Sequence, residues 1–167
     1  MVNVAIQSTG WAELPETSRL WIYQADRELT DAELDRCMQE FDVFMGEWNT
    51  HGKKLQAGYA IRYNRFIILA VDEDQQYASG CSIDSSVKIM KALSAEFNTD
   101  FFNRTTIVYK SGDDVVSLPM IDFKDQLAEG KLNADTVVFN NLIQKKAELD
   151  ANWETTVTNS WHAQLLR

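Results

Sequence analysis

Apolar and polar positions along this chain alternate with two periods, one typical of helices and one typical of strands. Apolar side chains recur at helical spacing between residues 34 and 48, and again on one face between residues 83 and 97. The first pattern follows the Thr-Asp-Ala-Glu segment at residues 30–33, a capping box whose hydroxyl and carboxylate bond the free N–H groups of a helix start. Apolar runs typical of strands lie at residues 20–23, 56–63, 66–72, 105–110 and 115–118.

Two short links between strand-type runs predict antiparallel hairpins. Only Asn64-Arg65 separates the runs 56–63 and 66–72, and a Ser-Gly-Asp-Asp turn at residues 111–114 joins the last two runs. The FIILAV segment that opens the run 66–72 is continuously apolar, which is typical of a central strand covered on both faces. Residues 136–139 are compatible either with a strand or with the start of a further helix.

The order of these elements predicts the fold class. The first six run β-α-β-β-α-β, the order of a ferredoxin-like split βαβ sandwich. We therefore expect an α+β fold with a mainly antiparallel sheet and helices packed on it, in a ferredoxin-like or similar sandwich with an added hairpin strand and C-terminal helices. A length of 167 residues without a low-complexity stretch predicts a single domain over 1–167, in which residues 1–18 form a poorly patterned N-terminal lead-in.

The charge balance narrows the classes of partner. The formal net charge is −9, which disfavours binding to nucleic acid or to an anionic membrane surface, since both need a basic face. The chain begins without the charged-then-apolar pattern of a signal peptide, and two cysteines fit a reducing compartment, so we expect a cytoplasmic location. The partner is expected to be a protein or a small molecule, and the five tryptophans leave a homo-oligomer open.

The most distinctive local feature is a cysteine at the predicted start of the second helix. Cys81 follows Gly80 and precedes Ser82, which we expect to cap the helix, while Asp84 in the first turn complements the helix dipole. A thiol at a helix N-terminus lies near free N–H groups, a setting that favours the thiolate and binds anions.

On a catalytic interpretation, Cys81 is a nucleophile and the neighbouring N–H groups form an oxyanion hole. The base is His51 or His162, oriented by Asp84 or Asp72. On the structural interpretation, Gly80 makes the turn, Ser82 caps the helix and Cys81 is a buried small residue, as we expect for Cys37. No catalytic set is complete in the sequence, so we prefer a non-catalytic binding or interaction module, and the alternative is a cysteine-dependent hydrolase or transferase.

Other candidate sites are weaker. Residues 46–54 resemble a phosphate-binding loop, but five residues separate the glycines where four are needed, and Lys54 replaces the required hydroxyl. The histidines and cysteines lack the paired spacing of a zinc site, so we expect neither a metal nor a cofactor. Ligand-binding candidates near the Cys81 helix, for a carboxylate or a phosphate, are Ser82, Arg62, Arg65 and Arg104.

Residues 48–110, together with VVFNNLIQKKAELDANW and SWH further along the chain, resemble a family of small uncharacterised bacterial proteins. Some members of that family carry the label "ABC transporter ATPase". The resemblance implies no established activity and transfers no catalytic residue. The label conflicts with the residues here, because the phosphate-loop segment fails on spacing and Ala78-Ser79-Gly80-Cys81 only faintly matches the signature segment of such ATPases.

Overall fold

The computed structural model describes residues 5–167, and these residues divide into two compact units. Residues 5–102 with 144–147 form what we term the N-terminal unit, and residues 103–143 with 148–167 form the C-terminal unit. The single domain over 1–167 stays a prediction. The lead-in at 1–18 contains a short strand and a 3-10 helix within its described part, and residues 1–4 lie outside the described residues.

The N-terminal unit contains a four-stranded antiparallel sheet in the order β1-β5-β6-β2. The predicted hairpin between β5 and β6 is present, and its turn residues Tyr63 and Asn64 both have a φ of 53°. Every residue of β6 is buried between its two neighbouring strands, as the continuous apolar run predicts. The strands are β1 at Ile6–Gln7, β2 at Arg19–Gln24, the short pair β3 at Asn49–Thr50 and β4 at Lys53–Lys54, β5 at Ala57–Arg62 and β6 at Phe66–Val71.

Two long helices complete this unit, α1 at Asp31–Glu47 and α2 at Gly80–Phe97. The capping box at Thr30 and Glu33 forms as predicted, with both reciprocal hydrogen bonds in place. The apolar faces of the helices and the sheet share one core, which also contains the buried Cys37. Neither these helices nor any other helix among residues 5–167 is long and apolar enough to cross a membrane.

The C-terminal unit has its own four-stranded sheet in the order β10-β9-β7-β8 and its own core around Phe123 and Val138. The predicted hairpin of β7 and β8 is present, and residues 137–139 are a strand, which decides the alternative left open by the sequence. The elements of this unit are β7 at Thr106–Ser111, β8 at Asp114–Pro119, α3 at Met120–Ala128, β9 at Val137–Phe139, a π-helix at Leu149–Trp153, β10 at Glu154–Thr156 and 3-10 helices at Val157–Asn159 and Trp161–Leu166. The one-turn α4 at Lys146–Glu148 begins in the N-terminal unit, to which residues 146 and 147 belong, and ends in the C-terminal unit.

The structure confirms an α+β fold with antiparallel sheets packed with helices. The ferredoxin-like arrangement of the strands is wrong, because β7 pairs with β8 and β9 in a second sheet and not with β2, β5 and β6. The outer edge of β2 is instead bonded by residues 144–147, with the Leu20 N–H donating to the Gln144 carbonyl over 2.9 Å. The element order fixes only which strands follow one another, whereas backbone hydrogen bonding decides which strands pair.

Candidate functional site

A cavity of about 270 Å³ in the N-terminal unit brings together the end of α1, the β3–β4 turn and the first turns of α2. We call it the α2 pocket. Phe44 and Trp48 supply aromatic walls, and the other side chains that line it are polar. Its lining residues are Phe44, Glu47, Trp48, Asn49, His51, Ser79, Cys81, Ser82 and Ser85.

The N-terminus of α2 lies at this cavity, since Ser79, Cys81 and Ser82 all line it. Ser79, not Ser82, is the N-cap, and its hydroxyl accepts a hydrogen bond from the Ser82 N–H over 3.2 Å. The Ile83 N–H bonds the Ser79 carbonyl, which is the first bond of the helix. The N–H groups of Gly80 and Cys81 have no acceptor within the helix, and they lie at the positive end of its dipole.

Cys81 is exposed, so the structural interpretation of Cys81 as a buried small residue is wrong. The buried face of α2 begins at Ser82 and continues through Ser86 and Met90 at helical spacing, which turns Cys81 away from the core. The other cysteine differs in its exposure to solvent. Cys37 is fully buried, and burial raises the pKa of its thiol to about 12.

Ser82 has a structural role at the base of the pocket, and its predicted role as the helix cap is wrong. The side chain is only 3% exposed, and its hydroxyl donates to the Asn49 carbonyl over 2.7 Å. Its carbonyl accepts a bond from the Trp48 indole N–H over 2.8 Å. These bonds join α2 to the end of α1 and to β3, because a buried hydroxyl or indole must find a partner.

His51 reaches the pocket from the tight turn between β3 and β4. His51 and Gly52 have positive φ angles of 51° and 81°, so the turn places the imidazole on an exposed corner. Asn49 closes the turn, since its amide oxygen accepts from the Gly52 N–H over 3.2 Å and its amide nitrogen donates to the Glu47 carbonyl over 3.0 Å. The structure therefore brings three of the predicted site residues to one cavity: Cys81, His51 and Ser82.

The carboxylate at the cavity is not one of those expected. Asp84 is exposed on α2 but does not line the α2 pocket, and the buried Asp72 accepts the Asp74 N–H in a local turn. Glu47, in the last turn of α1, lines the pocket instead. The sequence analysis missed Glu47, although Phe44, Glu47 and Trp48 follow one another at the i, i+3, i+4 spacing of a single helix face.

His162 is a buried structural histidine of the C-terminal unit and does not line the α2 pocket. Its ring stacks on Trp161 with 3.9 Å between centroids, and its Nδ1 lies 2.7 Å from the Ser160 hydroxyl. Burial lowers the pKa of His162 to about 4, because the charged imidazolium loses its hydration. A histidine of this kind is neutral at neutral pH.

The three arginines proposed as ligand-binding residues lie outside the α2 pocket. Arg62 donates to the Ile6 carbonyl over 3.2 Å, and Arg104 is exposed before β7. These positions follow from the sheet, since Arg62 ends β5 beside the edge strand β1.

Arg65 is buried, and burial lowers the pKa of its guanidinium while the charges of Glu28 and Asp26 oppose that effect. Asp26 accepts a hydrogen bond from Thr99, just beyond the C-terminal end of α2. A helix of 18 residues is about 27 Å long, so Arg65 belongs to the opposite end of α2 from Cys81.

No group of three or more His, Cys, Asp or Glu side chains within residues 5–167 has the arrangement of a metal site. The segment 46–54 runs from the end of α1 through the β3–β4 turn, and not from a strand through a loop into a helix. It therefore lacks the context of a phosphate-binding loop.

Comparison of this chain with protein-family models, with curated proteins and with solved structures found no significant match. The resemblance to a family of small bacterial proteins stays a prediction.

Proposed function

We propose that this protein is a binding module for a small polar molecule that occupies the α2 pocket. The observation that carries this proposal is the cavity of about 270 Å³ at the first turns of α2, which the exposed thiol of Cys81 and the exposed imidazole of His51 both line. Ligand cavities usually combine apolar walls with polar groups that fix orientation, and in the α2 pocket the polar groups predominate, which favours a polar ligand.

The lining favours a ligand with one anionic or carbonyl group and one flat apolar part. The donors of Gly80 and Cys81 at the helix N-terminus suit an oxygen that carries negative charge. The half-buried Phe44 offers aromatic surface that the rest of the ligand can contact, whereas Trp48 is only 2% exposed and contributes mainly to the shape of the wall. The Asn49 side-chain amide is already hydrogen-bonded to the backbone of its own turn, so it shapes the pocket wall more than it bonds a ligand.

The test is a screen of small aromatic carboxylates against the isotopically labelled protein by nuclear magnetic resonance. We expect a binding compound to shift the backbone amides of Gly80 and Cys81. Ser85→Trp, which places an indole at an exposed lining position, should weaken that compound at least tenfold. Lys91→Trp is the matched control, because Lys91 is an exposed residue of the same helix outside the pocket lining. Shifts confined to other surfaces, or equal affinity in both variants, would refute the proposal.

A second candidate is a cysteine-dependent hydrolase or transferase, which is favoured because Cys81 and His51 line the same cavity. In that reaction the Cys81 sulfur bonds the carbonyl carbon of the substrate while the thiol proton passes to His51. The carbonyl oxygen gains negative charge beside the Gly80 and Cys81 N–H groups. The leaving group departs with the proton from His51, and water or another acceptor then cleaves the thioester.

Thiol labelling separates the catalytic candidate from simple binding. If His51 assists the thiol, His51→Gln should lower the rate of Cys81 alkylation by iodoacetamide at pH 7 at least threefold. Cys37 provides an internal reference, since its burial should keep it unlabelled in the folded protein. His162→Gln is the control histidine variant and should leave the rate at Cys81 unchanged. An unchanged rate in His51→Gln removes His51 as the base.

A further inference from the structure

Residues 144–147, which we call the lysine strap, lie along the outer edge of β2 within the N-terminal unit. The Leu20 N–H donates to the Gln144 carbonyl, the Lys146 N–H donates to the Ser18 carbonyl, and the Ala147 N–H donates to the Glu16 carbonyl, each over 2.9 Å. The strap thus bonds the side of β2 that faces away from β6.

One side chain anchors the strap. Lys146 is only 9% exposed, whereas Gln144, Lys145 and Ala147 are exposed. Its ammonium group donates to the Leu14 carbonyl over 2.8 Å and to the Trp11 carbonyl over 3.0 Å. The same nitrogen lies 5.5 Å from the centroid of the Trp11 ring, within the range of a cation–π contact.

The acceptors of this ammonium are carbonyls around the 3-10 helix at Trp11–Glu13. The Trp11 carbonyl also accepts the Leu14 N–H over 3.1 Å, so the ammonium uses the second lone pair of that oxygen and an acceptor site of the Leu14 carbonyl. Among residues 5–167 no carboxylate forms an ion pair with Lys146, so neutral groups alone compensate the buried charge.

Among the described residues, this edge contains one buried polar group without a partner. Ser18, whose carbonyl bonds the strap, is fully buried, and its hydroxyl has no hydrogen-bond partner within the described residues. A buried unpaired hydroxyl and a buried ammonium both recover hydration when a segment opens. The strap should therefore open at a lower free energy than the fully buried central strand β6 needs.

We propose that the lysine strap is a conformational device that opens locally while the sheet stays folded, and that Lys146 sets how often it opens. When it is closed, the strap covers backbone groups of residues 16–20 that an extended chain could otherwise bond. Opening exposes this edge and removes no wall of the α2 pocket, because no strap residue lines the pocket. The strap therefore controls access to one edge of the N-terminal sheet.

Amide hydrogen exchange of Lys146→Met, compared with Lys145→Met, tests this device. Both variants remove one positive charge from adjacent positions, but only Lys146 is buried against the carbonyls. We expect the Leu20 and Ala147 amides to exchange at least tenfold faster in Lys146→Met and to stay within twofold of the wild type in Lys145→Met. The amide of Ile68, in the centre of β6, should stay within twofold in both variants.

Unchanged exchange at Leu20 in Lys146→Met would overturn the proposal, and so would equal acceleration at Leu20 and Ile68, which means global unfolding. If Lys146→Met does not fold, the wild type alone decides, through the dependence of exchange on low concentrations of denaturant. Local opening makes exchange at Leu20 nearly independent of denaturant, while exchange at Ile68 remains strongly dependent on it. The same dependence at both amides would refute a separate opening of the strap.

Discussion

At the scale of single residues, burial divides the two cysteines and the two histidines into structural and candidate functional side chains. Cys37 and His162 are buried, and burial raises the pKa of the thiol and lowers that of the imidazole, so both are held in their neutral forms. Cys81 and His51 are exposed and line one cavity. The same residue types therefore supply two structural positions and two candidate functional positions.

The buried histidine predicts a pH dependence of stability. The folded-state pKa of His162 is about 4, below the value of about 6.5 in an unfolded chain, so the unfolded state binds the proton first as the pH falls. The stability that the neutral His162 contributes to the folded state is complete above about pH 6.5, and it is lost as the pH falls from there to about pH 4. We expect wild type to lose about 2 kcal/mol more unfolding free energy than His162→Gln between pH 7.5 and pH 5.

Urea unfolding at the two pH values measures this difference, and His51→Gln serves as the control because His51 is exposed. The control should keep the wild-type dependence. If His162→Gln lost as much stability as wild type, the buried imidazole would not be the responsible group.

At the scale of elements, the start of α2 depends on Ser79. Its hydroxyl accepts the Ser82 N–H and also lies 2.9 Å from the Ser82 hydroxyl. An N-cap supplies an acceptor that the first turn of a helix otherwise lacks. The cap therefore fixes the turn that presents Cys81 to the α2 pocket.

Replacing the cap should weaken this junction measurably. We expect Ser79→Ala to lower the free energy of unfolding by about 1 kcal/mol, the usual cost of losing a serine cap. Ser85→Ala removes a hydroxyl of the same helix that only bonds the Cys81 carbonyl, so it should stay within about 0.5 kcal/mol of wild type. Chemical denaturation of both variants provides the comparison, and equal costs would contradict the assignment of Ser79 as the cap.

At the scale of the whole molecule, the described residues form two compact units, each with a sheet and a core of its own. The sequence predicts one domain, which requires both cores to unfold in one transition. Phe123 lies fully buried in the core of the C-terminal unit, and Cys37 lies in the core of the N-terminal unit. This pair of residues allows the cooperativity of the chain to be measured.

Phe123→Ala should lower the unfolding free energy by about 3–5 kcal/mol, because it leaves a cavity in a closed core. If the chain is one cooperative domain, labelling of Cys37 during denaturation should shift to lower urea by the same amount as the far-ultraviolet circular dichroism signal. A Cys37 transition that stays at its wild-type position would contradict the single domain and identify two independently folding units.

Much of the fold follows from local patterns. Features that depend on neighbouring residues can be predicted from the sequence. They are the capping box at residues 30–33, the hairpins at β5–β6 and β7–β8, and the buried strand β6. The ferredoxin-like arrangement fails because it depends on whether β7 joins the first sheet, and no local signal records that choice. The same limit applies to Ser79 and Ser82, since either serine fits a cap and packing decides which one is buried.

The sequence by itself determined the α+β class, the start of α2 near Cys81 and the candidate status of Cys81 and His51. Only the tertiary structure decided that these two side chains share a cavity, that Glu47 lies there in place of Asp84, and that His162 and Arg65 do not. The reason is physical: secondary structure follows from interactions between residues close in the chain, whereas a pocket forms from side chains that folding brings together. Cys81 and His51 are 30 positions apart, and it is the Ser82 hydroxyl bonded to the Asn49 carbonyl that joins their elements.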